Sequence, residues 1–241
     1  IVVETSTMNK KDWAKSNLFS VVLLVIHSFK LGFYIMNYLA NEMKISGKDL
    51  IKFICDQTNK KDHPFIYTNL IVKINNWIEK LLKGKGRAIL NKKYSDVYLD
   101  IEEIIFLKIS ENFQEFYKEL KDLFKDLIGT NKWNDKKEII NELFMYQSFR
   151  MPRLNIEKTK LDFEFNIAEY MFFINTQDEV IFKRQKNKIS IIKNTNYEKN
   201  YWEFTKKKLI WGRKGDKIKN EIDYEEKMLK KIKKPNNFNI K

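Results

Sequence analysis

The stretch KKDWAKSNLFSVVLLVIHSFKLGFY, residues 10–34, carries side chains spaced for joint action. Trp13, Asn17, Ser20, Leu24 and His27 follow one another at intervals of four, three, four and three, which lines them along one face of an α-helix. The other faces hold Leu18, Phe19, Val21, Val22, Leu23, Val25 and Ile26, and a helix that is apolar nearly all round is expected to be buried. Buried polar groups need partners, so the stripe is expected either to bond neighbouring backbone inside the core or to face an enclosed polar ligand. Its chemistry is that of an amide, a hydroxyl and an imidazole beside an indole wall. His27 could be an acid, a base or a metal ligand, although a structural or hydrogen-bonding use is the plainer reading of a lone histidine.

A second constellation is QSFRMPR, residues 147–153, where Arg150 and Arg153 flank Pro152 at the point at which the helical pattern gives way to strands. Two guanidinium forks at such a junction can hold a carboxylate or phosphate, and the alternative is a surface loop with ordinary salt bridges. Trp13, Asn17, Ser20, His27, Arg150 and Arg153 are therefore the candidate substrate-binding residues, and no residue is assigned a catalytic role.

Several chemistries lack their residues. The other histidine, His63, stands just before Pro64, and no His-x3-His or HExxH pair occurs, so no metal site is expected within the chain. The single cysteine, Cys55, excludes an internal disulfide and any three-cysteine cluster, reads as a small buried residue, and favours a reducing, cytoplasmic compartment. Gly84-Lys85-Gly86-Arg87 lacks the spacing of a phosphate loop and reads as a helix terminus and turn. Glu102-Glu103, Glu138 and Glu225-Glu226 read as solvated helix faces.

The formal charge of +14 comes from 41 lysines and only five scattered arginines against 32 acids. Readers of bases and phosphates lean on arginine forks, so specific nucleic-acid binding is not expected. With 43% hydrophobic and 14% aromatic residues the chain is expected to be ordered and globular. The longest uninterrupted apolar run, Val21 to Ile26, falls short of the roughly 20 residues that a membrane span needs. No secretory signal opens the chain, and IVVETST reads as the exit from an earlier element, so a piece of a longer polypeptide is expected.

The elements that must position these residues are mostly helical, as seven glycines and three prolines over 241 residues suggest. One helix is expected from Lys10 or Lys11 to about Phe29, with a bend at Gly32 before FYIMNYLANEMK. Ser46 can cap the next helix. Pro64 suits a first turn, and that helix should end at Gly84 or Gly86. Ile105, Ile109, Phe113, Phe116, Leu120, Phe124 and Leu127 form one stripe that Gly129 stops, and a further helix is expected from about Asp135 to Gln147. KLDFEFNI alternates with period two, and with EYMFFIN, EVIFKRQ and KISIIKN it suggests three or four antiparallel strands between 160 and 194. EKNYWEFTKKKLIWGRKG reads as a last helix. The fold class is thus α+β, mainly α: a helical bundle over residues 9–147, a small antiparallel β segment over 160–194, and a C-terminal helix. The corresponding domains are a helical one at 1–150, a β-rich subdomain with its closing helix at 151–216, packed on the helices, and a charged tail at 217–241.

Three stretches, VVETSTMNKKDWAKSNLFSVVLLVIHSFKLGFYIMNYL, DFEFNIAEYMF and WEFTKKKLIWGRKG, together resemble the C-terminal portion of radical SAM proteins that carry an N-terminal cobalamin-binding domain. The resemblance covers residues 1–216 in patches of spaced aromatic and polar positions. It implies a full-length enzyme, a methyltransferase or related radical catalyst, whose preceding domains hold cobalamin, a 4Fe-4S cluster and S-adenosylmethionine. This chain would be the mostly helical region beside the barrel mouth, a cap that helps exclude water and position a small-molecule or sugar-type substrate. The family's CxxxCxxC motif is absent here, so none of its catalytic residues transfers and no cofactor is expected in this fragment. Two other classes stay open: a freestanding basic module for RNA or another polyanion, and a structural interaction protein.

Overall fold

The computed structural model describes residues 4, 7–91, 97–151, 159–174 and 180–191. The chain divides into two compact units, Ile1–Met151 and Pro152–Lys241. It is mainly helical with small antiparallel sheets, an α+β fold.

In the first unit α1 (Lys10–Leu23) starts at Asn9, whose side chain accepts the Asp12 amide at 2.9 Å. It loosens into a π-helical turn at Leu24–Ser28, and the chain then breaks by 93° into α2 (Phe33–Glu42). The bend falls at Gly32, as expected. A capping box between Ser46 and Asp49 opens α3 (Gly47–Gln57). Pro64 occupies the first position of α4 (Pro64–Ile66), which continues through a π-helical turn at Tyr67–Val72 into α5 (Lys73–Leu82). Gly84, at φ 73°, lies just past its end.

A hairpin of β1 (Ile89–Asn91) and β2 (Val97–Leu99) comes next, with Leu90 opposite Tyr98; no sequence signal suggests it. The long stripe is two helices, α6 (Ile101–Ser110) and α7 (Phe113–Ile128), broken at Glu111 and Asn112. Helical spacing persists across the break, which is why the pattern reads as continuous. Gly129, at φ 81°, ends α7 in a conformation that disfavours any Cβ. The next helix, α8 (Thr130–Arg150), starts directly after it, five residues before the expected start.

The core lies where α1 meets α3, α5 and α6, where α7 meets α3, α4 and α8, and where α2 meets α3 and α8. Val22, Val25, Ile26, Ile51, Ile105 and Phe116 are fully buried there, each stabilising the fold by roughly 1.5–3 kcal/mol relative to an exposed position. Glu103, expected on a solvated face, is buried instead, because its carboxylate accepts the Asp100 amide at 2.9 Å at the start of α6.

In the second unit β3 (Thr159–Phe165) pairs antiparallel with β4 (Arg184–Ile191). Leu161, Phe163 and Phe165 are buried and Asp162 is exposed, the expected period of two. EYMFFIN is not a strand: α9 (Ile167–Phe173) occupies it. Ile167, Ala168, Tyr170 and Met171 are buried at helical spacing, and the fully buried Asn166 bonds the far segment, donating to the Ile181 carbonyl at 3.0 Å and accepting the Lys183 amide at 2.8 Å. The face that Ile167, Ala168, Tyr170 and Met171 bury together overrides the strand preference of the aromatic run. The start of EVIFKRQ lies outside strand too, since Ile181–Lys183 precede β4. The expected C-terminal helix and charged tail lie outside the described residues.

Among the described residues no single helix is long and apolar enough to cross a membrane, although the bent pair Lys10–Ser28 and Phe33–Glu42 meets the length and composition together.

Candidate functional site

The candidate site is the bend after α1 and the surface leading to it. In the π-turn the Phe29 amide reaches back five residues to the Leu24 carbonyl at 2.9 Å, and the Gly32 amide bonds the Ile26 carbonyl at 2.7 Å. Such a turn inserts one residue into the helix and shifts the phase of the residues beyond it. Lys30 then takes a left-handed φ of 61°, a strained state for a residue with a side chain. Gly32 packs so closely that a Cβ there would stand 2.5 Å from Ile26 Cγ2.

Two remote helices hold this turn. The fully buried Gln147 of α8 donates its Nε2 to the Lys30 carbonyl at 2.7 Å and accepts the Tyr34 amide on Oε1 at 2.9 Å. Gln147 thus caps α2, whose own N-cap, Gly32, has no side chain to do so. From α7, the Tyr117 hydroxyl donates to the Leu31 carbonyl at 2.9 Å.

The expectation that α1 is buried all round is corrected here. Val21, Val22, Val25 and Ile26 face the core, while Ser20, Leu24 and His27 are exposed and Trp13 and Asn17 are half-buried. Helical spacing groups these five residues but does not say which way the group turns. Asn17 donates its Nδ2 to the Trp13 carbonyl at 2.9 Å, so part of the stripe is satisfied by its own helix.

His27 lies 5.4 Å from the Phe33 ring. Phe33 meets Tyr34 edge-on at 5.4 Å, and Tyr34 meets Tyr146 at 5.0 Å. Lys30 Nζ stands 5.6 Å over Phe33. Arg150 donates its Nε to the Tyr34 hydroxyl at 2.9 Å and lies over the Tyr34 and Tyr146 rings at 5.3 and 5.8 Å. His27 and Arg150, far apart in sequence, thus end on one aromatic path, with cationic groups over its rings. Arg153 lies outside the described residues, so the expected pair of guanidinium groups is represented by Arg150 alone.

Phe33, Tyr34, Tyr117, Tyr146 and Gln147 belong to this site without having been expected in it. Phe33 and Tyr34 read as ordinary apolar residues of FYIMNYLANEMK, and nothing around Gln147 in sequence distinguishes it from a surface glutamine. The site can stack an aromatic or apolar surface and donate or accept hydrogen bonds at His27 and Ser20.

Other reactive groups lie elsewhere. Cys55 is half-buried where a buried residue was expected; the partial burial, with Asp56 adding to it, pushes its thiol up to about 12, which keeps it protonated. His63 is buried, and among the described residues its Nδ1 has no hydrogen-bond partner. Among the described residues no group of three His, Cys, Asp or Glu side chains could hold a metal ion. No family model matches the chain, and none of the curated proteins compared with it matches either.

Proposed function

We propose that the chain is a helical accessory domain of a cobalamin-dependent radical SAM enzyme, a methyltransferase or related radical catalyst, which helps close the active site and position a small-molecule or sugar-type substrate. One observation carries the proposal. Within the longest stretch of the resemblance, residues 10–39 fold as one specific unit: a helix, a π-turn, a left-handed Lys30 and a close-packed Gly32. The approach of Gly32 to Ile26 leaves no room for a Cβ, so likeness at that position concerns a shape and not merely a hydrophobic period.

The chain's one cysteine cannot supply the three thiolates of a CxxxCxxC cluster site, so the cluster, S-adenosylmethionine and cobalamin belong to preceding domains and no radical step runs through these residues. What this domain contributes is exclusion of water from a reactive intermediate and orientation of the substrate. The reading is tested by the coding sequence upstream of Ile1. A CxxxCxxC motif in the same frame is expected, and an upstream reading frame without one overturns the proposal.

A further inference from the structure

We propose that the outer face of α1 and its π-turn, formed by Ser16, Ser20, Leu24, His27 and Ser28, is where a covalently linked domain of the same polypeptide docks. This rests on the function proposed above and assigns the contact surface within it. All five residues are exposed, Leu24 by 37%.

Charge distinguishes this face. From Ser16 to Phe29 there is no Asp, Glu, Lys or Arg, in a chain that is 32% charged and carries +14 overall. Exposed helix faces normally take the charged residues. The outer face of α8 does so with Lys132, Asp135, Lys136 and Glu138, and α3 does so with Lys48, Lys52 and Asp56, all exposed. The core of a protein interface is depleted in charge in the same way as this segment. A face of hydroxyls, an imidazole and one leucine, without a lysine, arginine or carboxylate, matches a hydrogen-bonding protein wall of low charge better than a polyanion.

Size selects the occupant. Ser16 to Ser28 rises about 18 Å along a helix about 10 Å wide, so the face covers on the order of 200 Å². A stable complex between free proteins needs roughly 800 Å² on each partner. A diffusing protein or a second copy of this chain therefore gains too little from it. A tethered domain meets the same face at an effective concentration of about millimolar, which is enough for a small contact to stay closed.

Hydroxyl-radical footprinting of this chain beside the full-length polypeptide tests the assignment. Leu24 and His27 should be oxidised several-fold more slowly in the full-length protein, with the exposed Tyr98 as the reference. Leu24→Arg in the full-length protein should return His27 to the rate seen in this chain alone. Equal rates in both proteins, with the CxxxCxxC domain present, overturn the docking face and leave the proposed function standing. Protection that grows with concentration in this chain alone overturns it in favour of a second copy. A parent gene without preceding domains overturns both.

Discussion

Replacing Gln147 by leucine removes both ends of the clamp on the bend while nearly keeping the side chain's volume. The Tyr34 amide, in a residue 4% exposed, loses its acceptor, and an orphaned buried donor costs about 1–3 kcal/mol. The Lys30 carbonyl loses its donor too, but Lys30 is only half-buried and water can replace part of that bond, so this end costs about 1 kcal/mol. Together the change should destabilise the first unit by about 2–4 kcal/mol. The most local readout is hydrogen exchange at the Tyr34 amide. At roughly 1.4 kcal/mol per factor of ten, a cost near 3 kcal/mol accelerates it about a hundredfold. The Asp49 amide, held by its own Ser46 hydroxyl at 3.2 Å, should change less. An unchanged Tyr34 exchange rate together with an unchanged urea midpoint would refute the reasoning, because the bend would then be held by packing alone.

Two glycines make a paired prediction. A Cβ at Gly32 or at Gly47 would stand 2.5 Å from its nearest atom in either case. At Gly32 that atom is Cγ2 of the fully buried Ile26, so Gly32→Ala should lower stability by about 1–3 kcal/mol in thermal unfolding. At Gly47 it is the terminal methyl of Met36, which can swing away, so Gly47→Ala should be neutral or stabilising by up to about 0.5 kcal/mol; equal losses would refute the distinction. For Cys55, a thiol raised from 9.0 to about 12 holds about a thousandfold less thiolate below pH 9 than an unperturbed one. Iodoacetamide at pH 8 should therefore modify the folded chain far more slowly than the chain in urea, with the rate still climbing above pH 10, and comparable rates in both states would contradict the burial of the thiol.

The sequence alone determined what depends on near neighbours. Ser46 and Asp49 form their capping box, Pro64 opens a helix and Gly129 closes one because three or four residues settle each geometry. The alternation of Leu161, Phe163 and Phe165 marked a strand, and the stripe from Ile105 to Leu127 marked helix without its break at Glu111 and Asn112, because burial on one side imposes a period. Periodicity tells which side chains share a face, however, and not which face meets the core. The tertiary structure alone turned Ser20, Leu24 and His27 outward and joined His27 to Arg150 through Phe33 and Tyr34. It alone supplied caps from a distance, Gln147 for α2 and Glu119 for α4, where the Glu119 carboxylate accepts the Phe65 and Ile66 amides at 2.9 and 2.7 Å. The tertiary structure also tied Asn166, at the start of α9, to Ile181 and Lys183 before β4. The physical reason is the same for the two caps: an unsatisfied backbone group at a helix end takes whatever partner the packed fold brings within about 3 Å, and that partner has no fixed offset along the chain.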